Sequence, residues 1–248
     1  MDETRYAYRC TNLTRRREKS GVVFELLVPE LNVRAGEFVA IVGKSGCGKS
    51  TLLDMLGLVL APGDADEFRL TGREGESIDL QALWKTHNEN NLARIRRNHL
   101  GYVLQTGGLL PFLNVFDNIR MPVQLKGSGH TEEELTGLAE RLQIREIIRK
   151  KPSYLSGGQR QRAAILRALA SRPDIILADE PTAAVDETNG REIVQVFREI
   201  SAEHGSAVLM VTHDVHLVKD VADRTYTLIP ERVSDSHTRS TSHEMGAG

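Results

Sequence analysis

Hydrophobic and polar residues follow a pattern along the chain that is typical of strands alternating with helices. Short, unbroken apolar runs occupy 38–42, 100–104, 175–178 and 207–211, as expected for strands buried on both faces. Segments with helical periodicity lie after or between these runs, at 50–60, 78–98, 157–170 and 189–203. This order predicts an α/β fold with a parallel sheet covered by helices on both sides.

Three other segments have different patterns. Residues 6–10 and 22–33 predict strands of a small amino-terminal antiparallel β subdomain, joined by a charged, solvated turn at 15–19. Residues 106–165 predict a separate, inserted helical lobe, in which a helix at 131–150 begins with a Thr-Glu-Glu-Glu cap. The last fifteen residues, 234–248, are small and polar and predict a flexible tail, so the folded domain is expected to span 1–233.

Composition narrows the functional classes. With 40% hydrophobic and 27% charged residues, the 248-residue chain resembles an ordinary soluble globular protein. A formal net charge of −2 offers no electrostatic basis for a nucleic-acid partner, and we expect none. The longest apolar stretch, 52–61, is far shorter than the ~20 residues that span a bilayer, and MDETRYAYRC lacks a signal-peptide core. We therefore expect a cytosolic chain that reaches a membrane only through another protein.

A glycine-rich loop, GKSGCGKST, lies between the apolar run at 38–42 and a helical segment. Its glycines allow successive backbone N–H groups to turn inward around phosphates, and the following helix directs its positive end to the same point. Lys49 supplies charge at the outer phosphates, and Ser50 can bind a magnesium ion. The predicted phosphate-binding residues are Gly43, Lys44, Ser45, Gly46, Cys47, Gly48, Lys49, Ser50 and Thr51.

Two acids end the apolar run IILADE. A carboxylate at a strand end beside a phosphate loop is typical of magnesium binding, which predicts a metal role for Asp179. Glu180 lies one residue further on, and we predict that it polarises the attacking water.

A second glycine-rich turn, LSGGQ, also opens a helix and therefore predicts a second anion site. The predicted binding residues are Ser156, Gly157, Gly158 and Gln159. The first loop already binds the nucleotide of its own chain. The simplest use of the second turn is to close over the nucleotide of another copy, which predicts a symmetric dimer with two composite sites.

Together with Gln105, AAVD at 183–186 and His213, these motifs resemble the ATP-hydrolysing subunit of an ABC transporter. The resemblance covers residues 5 to about 230. It implies ATP and Mg²⁺ as ligands, a magnesium and water contact for Gln105, and a γ-phosphate contact for the partner's LSGGQ turn. It further implies that His213 holds Glu180 and the γ-phosphate together, and that Asp186 joins the loop linking the two sites.

Within the family, LLPFLNVFDNIRMP and SGGQRQRAAILRALASRPDIILADEPTAAVD are similar to the lipoprotein-releasing, macrolide-exporting and cell-division group. This implies a permease that transmits motion, with the ATPase peripheral on the cytoplasmic face of the inner membrane. One departure concerns the base: where the family usually has an aromatic residue, 13–17 reads LTRRR. Either an arginine plane stacks on the base, or Tyr8 reaches it.

The apolar residues after Gln105 have two interpretations. About half of the set Phe112, Leu113, Val115, Phe116 and Ile119 is expected to pack the helical lobe. The rest would form a groove for a helix of the permease, and we expect docking near Phe112, Leu113, Val115 and Phe116. Two alternatives to transport remain open: a membrane complex in which ATP drives a signal, and a soluble ABC ATPase without a transport role.

Overall fold

The computed structural model describes residues 5–245, in which ten strands form one mixed sheet. The strands are β1 (Tyr6–Lys19), β2 (Val22–Arg34), β3 (Phe38–Val42), β4 (Glu67–Thr71), β5 (Ser77–Asp79), β6 (Leu100–Val103), β7 (Ile175–Asp179), β8 (Ala207–Thr212), β9 (Arg224–Ser234) and β10 (His237–Glu244). The helices are α1 (Lys49–Leu56), α2 (Leu80–Lys85), α3 (Glu89–His99), α4 (Val115–Lys126), α5 (Glu132–Arg141), α6 (Gly157–Ala170) and α7 (Glu187–His204). Short 3₁₀ helices span Arg145–Ile147, Pro152–Tyr154 and Val215–Leu217.

The parallel part of the sheet has the order β9-β3-β8-β7-β6. Both of its faces are covered, because alternate residues of each strand enter different hydrophobic clusters. Phe38 and Ala40 belong to one cluster, whereas Val39 and Ile41 belong to the other. The predicted α/β fold with a buried parallel sheet is confirmed. Carboxyl ends of parallel strands meet at one edge, where ligands bind in such folds.

The amino-terminal hairpin is longer than expected, and the predicted solvated turn at 15–19 is wrong. β1 continues to Lys19, which pairs with Val22, so the charged run forms part of the antiparallel ladder. The turn contains only Ser20 and Gly21, both with positive φ, as a two-residue hairpin turn requires. Backbone pairing with β2 holds this segment in the sheet although its side chains are charged.

The predicted flexible tail at 234–248 is also wrong over most of its length. β10 lies between β2 and β9, parallel to the first and antiparallel to the second, and Ser240 and Ser242 are buried. Ladder hydrogen bonds between main chains order this segment although its side chains are mostly polar. The sheet therefore continues past the boundary predicted at 233, while residues 246–248 lie outside the described range.

Several helices are shorter than their hydrophobic patterns predicted. The segment 78–98 contains two helices, α2 and α3, each capped by a side chain, from Asp79 and Asn88 respectively. The helix expected at 131–150 ends at Arg141, although its predicted start is confirmed by a capping box between Thr131 and Glu134. No helix among residues 5–245 has both the length and the apolar character needed to cross a bilayer.

The segment 106–165 is mostly helical, as predicted, but it does not have a separate core. Ile119 of α4 and Leu135 of α5 belong to the same hydrophobic cluster as Phe38 and Val208 of the central sheet. A displacement of this helical region would therefore disturb packing on one face of the sheet.

Candidate functional site

The loop between β3 and α1 bends tightly at the carboxyl edge of the parallel strands. Gly48 caps α1 with φ of +103°, a conformation that residues with a side chain rarely adopt. A Cβ atom there would lie 3.0 Å from Cζ of Phe24, so the loop also packs closely against β2. The amino terminus of α1 consequently points its free N–H groups toward the loop.

This loop borders a cavity of about 650 Å³. Six of the nine predicted phosphate-binding residues line it: Ser45, Gly46, Gly48, Lys49, Ser50 and Thr51. The other three support the loop from outside the cavity. Gly43 and Lys44 accept hydrogen bonds from Nζ of Lys49 through their carbonyl oxygens, at 2.8 and 3.2 Å, and Cys47 is buried. The predicted P-loop thus forms one wall of an open site.

Acidic side chains lie beside the loop. Oγ of Ser50 donates to Oδ1 of Asp179 over 3.2 Å, and Asp54 also lines the cavity. Burial and the nearby charges of Glu180 and Asp54 raise the pKa of Asp179, although the Ser50 hydrogen bond opposes the shift. Crowded carboxylates beside a hydroxyl provide the hard oxygen ligands that Mg²⁺ prefers, so this residue set fits the ion.

Glu180 follows β7 in a strained backbone conformation, with φ of +44°. Its N–H donates to the carbonyl of Val211, and its carboxylate lies between the side chains of Lys49 and His213. Oε1 is 3.5 Å from Nζ of Lys49, and Oε2 is 2.8 Å from Nδ1 of His213. Gln105 lines the same cavity as Glu180 and is exposed. The structure therefore brings two of the three predicted catalytic residues, Glu180 and Gln105, to the P-loop cavity, and it places the third, His213, in contact with Glu180.

The second glycine-rich turn lines a different cavity, of about 500 Å³. Ser156 caps α6 by accepting from the N–H of Gln159 at 3.2 Å, and the side chain of Gln159 accepts in return from the N–H of Ser156. Gly158 packs against Val185, whose Cγ1 would lie 3.0 Å from an added Cβ. The two anion-binding turns of one chain thus lie in separate cavities.

The P-loop cavity has a further wall, formed in part by the amino-terminal strands. Arg15 and Arg17 of β1, Phe24 of β2 and Leu60 line this wall. Tyr8, the second predicted base contact, cannot reach it. Its ring is fully buried in the core, and its hydroxyl donates to the carbonyl of Leu56.

Phe24, Leu60 and Asp54 were absent from the predicted site. The run VVFELLV does not indicate which of its residues face the core. Because 15–19 was predicted to be a turn, the pairing of Arg17 with Phe24 was not expected. A correct hairpin register would have identified Phe24 as the neighbour of Arg17 on one face of the sheet.

Comparison with known proteins identifies this arrangement. The family model described as ABC transporter matches residues 28–183, from β2 to the loop after β7. The chain belongs to the ABC transporter family. Uncharacterized ABC transporter ATP-binding protein MJ0796 of Methanocaldococcus jannaschii is 37% identical over 204 residues, which cover 80% of this chain and 83% of that protein. Macrolide export ATP-binding/permease protein MacB of Burkholderia pseudomallei is 41% identical over 209 residues, which cover 82% of this chain and 30% of MacB.

Two solved structures of MJ0796 resemble the fold closely. One, described as a dimeric structure of a bacterial ABC transporter cassette, has a TM-score of 0.77 and 33% identity, over 89% of this chain and 93% of that one. The other, a dimeric post-hydrolysis state bound to ADP and Pi, has a TM-score of 0.76 and 31% identity, over 97% and 100%. The predictions of an ABC ATPase and of its lipoprotein-releasing and macrolide-exporting group are confirmed.

In this ABC ATPase, Asp186 lies with the second glycine-rich turn and not with the P-loop of its own chain. It caps α7 by accepting hydrogen bonds from the N–H and the side-chain amide of Asn189, at 3.0 and 2.6 Å. These bonds lower the pKa of the Asp186 carboxyl. Asp186 can therefore contribute to nucleotide binding, as predicted, only if the nucleotide is bound by the P-loop of another copy of the chain.

The predicted docking residues after Gln105 have very different exposures. Phe112 is 69% exposed, whereas Leu113 and Phe116 are half-buried, with the Arg149 guanidinium carbon 4.9 Å from the centre of the Phe116 ring. Val115 is fully buried, as is Ile119. The prediction of Val115 as a docking residue is wrong, because α4 turns this side chain into the core.

Proposed function

We propose that this ABC ATPase works as a dimer closed around two Mg-ATP, and that closure drives a membrane permease of the mechanotransmission or export type. The observation that carries the proposal is the separation of the two anion-binding turns into cavities of about 650 and 500 Å³. In a two-fold dimer, the P-loop of each chain would meet the second turn of the other, and each pair of cavities would complete one site.

Hydrolysis would depend on residues that already lie together at the P-loop. Ser50 and Asp179 would hold Mg²⁺, which when bound offsets the negative charge of the phosphates. Lys49 would bind the outer phosphate oxygens, and Glu180 would accept a proton from the attacking water. His213 contacts Glu180 at 2.8 Å and would keep this carboxylate oriented toward that water.

Closing and opening of the dimer would follow from a difference in affinity, because ATP would bind the closed dimer more tightly than the open one. ATP would favour the closed dimer because its γ-phosphate contacts both chains, whereas ADP lacks this bridge. Nearly complete closure needs a ~10⁴-fold preference of ATP for the closed form, about 5.5 kcal/mol. Hydrolysis would remove the preference and reopen the dimer.

A permease contact is proposed beside Gln105. Phe112 and Leu104 are exposed by 69% and 38%, and both lie close in sequence to this cavity-lining glutamine. A permease helix over these side chains would sense nucleotide through Gln105. The relative MacB combines an ATP-binding region with a permease. We therefore place this ATPase peripherally on the cytoplasmic face of the inner membrane.

The composite site is tested by ATP-dependent dimerisation of the Glu180→Gln variant, measured by size-exclusion chromatography with light scattering. This variant should form a dimer with Mg-ATP. Adding Ser156→Arg should abolish the dimer while the Kd for ATP of the monomer stays within about threefold, because Ser156 does not line the P-loop cavity of its own chain.

Glu133→Arg in the same Glu180→Gln background is the matched control, because Glu133 lies in the first turn of α5. It should leave the dimer intact. The composite site would be refuted if the Glu180→Gln, Ser156→Arg double variant still dimerised with Mg-ATP and the Ser156→Arg single variant hydrolysed ATP at the normal rate.

A further inference from the structure

Asp54 lies beside the proposed magnesium ligands, and the motifs of the sequence leave it without a role. We propose that Asp54, oriented by Tyr102, is a positioning residue of the magnesium site and holds the ion through the water molecules bound to it. The inference rests on the proposed ATPase function and adds a residue to the same site.

Asp54 shares one side of α1 with Ser50. Residues four apart on a helix lie on the same face, and both side chains line the P-loop cavity. Oγ of Ser50 donates to Oδ1 of Asp179 at 3.2 Å. Burial is the main cause of the raised pKa of Asp179, and repulsion from the carboxylates of Glu180 and Asp54 adds to it. Asp54 therefore adds negative charge to the place where the dication would bind.

Tyr102 fixes one oxygen of this carboxylate, because its hydroxyl donates to Oδ1 of Asp54 at 2.8 Å. Tyr102 pairs with Leu177, two residues before Asp179, so strand alternation places Tyr102 and Asp179 on the same face of the sheet. Burial raises the pKa of the Tyr102 hydroxyl, and the hydrogen bond to Asp54 adds to this shift. The hydroxyl therefore stays protonated and remains a donor.

The other oxygen of Asp54 is available to a ligand. Among residues 5–245, Asp54 forms no ion pair, and its Oδ2 accepts no hydrogen bond from a protein group. The side chain is half-buried, between the fully buried Leu53 and Met55. A carboxylate in such a position is unfavourable unless water or a cation offsets its charge. Mg²⁺ usually keeps several water molecules in protein sites, and a carboxylate beside its direct ligands can accept hydrogen bonds from them.

A purely structural role makes a different prediction for Asp54→Asn. Asparagine has nearly the same shape and keeps an acceptor oxygen for the Tyr102 hydroxyl, so the variant should fold, with a Tm within about 3 °C of the wild type. It loses only the charge and one acceptor. If Asp54 merely supports Tyr102, the affinity for metal should not change.

The first test measures Mn²⁺ binding by electron paramagnetic resonance, with Mn²⁺ in place of Mg²⁺ and ADP as the nucleotide, because ADP is not hydrolysed. The protein is kept in excess over ADP so that free nucleotide binds little metal. Asp54→Asn should raise the Kd for Mn²⁺ about tenfold, as is typical when a group that orients metal ligands is lost. Tyr102→Phe keeps the Asp54 charge but frees its side chain, and should raise this Kd about two- to fivefold.

The second test compares the Kd for ADP with and without Mg²⁺, by titration calorimetry. Without metal, Asp54→Asn should bind ADP at least as tightly as the wild type, because a negative charge near the phosphates is gone. With Mg²⁺ it should bind ADP more weakly, since the coupling between metal and nucleotide is reciprocal. In ATP hydrolysis, the Mg²⁺ concentration for half-maximal rate should rise about tenfold, while kcat at saturating Mg²⁺ stays within about threefold.

Asp117→Asn is the matched control, because Asp117 is exposed in the first turn of α4 and lies outside the P-loop cavity. It removes the same charge and should leave the Kd for Mn²⁺ unchanged. The inference would be overturned if Asp54→Asn bound Mn²⁺ as the control does, or if Tyr102→Phe weakened Mn²⁺ binding more than Asp54→Asn.

Asp179→Asn separates this inference from the proposed function. If Asp179→Asn loses Mn²⁺ affinity and Asp54→Asn does not, the magnesium site stands and only the role of Asp54 is wrong. If neither variant changes the Kd for Mn²⁺, the proposed magnesium site fails and the role of Asp54 fails with it.

Discussion

The close packing of the P-loop against β2 leads to a prediction about Gly48. Gly48→Ala places a side chain at φ of +103° and a Cβ atom 3.0 Å from Cζ of Phe24. The backbone strain costs about 1–2 kcal/mol, and the contact adds about 1 kcal/mol because the ring must move. For a chain of this size, a loss of about 2–3 kcal/mol in unfolding free energy lowers Tm by about 5–10 °C.

Gly21→Ala separates the two contributions. Gly21 also has positive φ, +77°, but nothing lies within 4 Å of an added Cβ. This variant should show the backbone strain alone, about 1–2 kcal/mol, with a Tm loss of about 2–8 °C. Gly48→Ala should also weaken ATP binding at least about tenfold, because the N–H groups of the loop move, whereas Gly21→Ala should not.

The steric contribution is measured by a double-mutant cycle with Phe24→Ala, using thermal unfolding followed by circular dichroism. Gly48→Ala should cost about 1 kcal/mol less in the Phe24→Ala background, where the opposing ring is absent. If Gly48→Ala costs the same in both backgrounds and no more than Gly21→Ala, the proposed contact between loop and strand is wrong.

Three further predictions concern chemistry, pH and docking. Glu180→Gln should reduce ATP hydrolysis about 10²–10⁴-fold in a phosphate-release assay and leave the Kd for ATP within about threefold; a wild-type rate would exclude Glu180 as the base. Because burial raises the pKa of Asp179, its ionisation costs stability as the pH rises above the usual Asp range. Asp179→Asn should therefore raise Tm by about 2 °C or more at pH 7, with a smaller gain near pH 4, and equal Tm differences at the two pH values would contradict this. Phe112→Ala should change Tm by less than about 1 °C, whereas Val115→Ala, which deletes buried methyl groups, should lower it by about 4 °C or more; the reverse order would contradict the exposures found here.

The motifs that carry the catalytic residues were predictable from the sequence because each is short and its geometry depends on the residues directly beside it. GKSGCGKST follows an apolar strand and opens a helix, and both LSGGQ and the acidic end of β7 are short segments with local geometry. A glycine loop before a helix directs N–H groups at an anion wherever it occurs in a fold. The sequence alone therefore determined the phosphate-binding loop, the acidic pair and the central α/β sheet.

The tertiary structure decided features that depend on strand pairing and distant neighbours. Ladder hydrogen bonds incorporate the charged segment of β1 and the polar β10 into the sheet, although neither has the hydrophobic alternation that predicts a strand. The register of β1 with β2 determines that Arg17 and Phe24 both line the P-loop cavity while Tyr8 is buried. Strands that pair lie far apart in sequence, as β2 and β10 do, or have a register set by the exact turn, as β1 and β2 do. The local pattern of residues therefore does not determine these contacts.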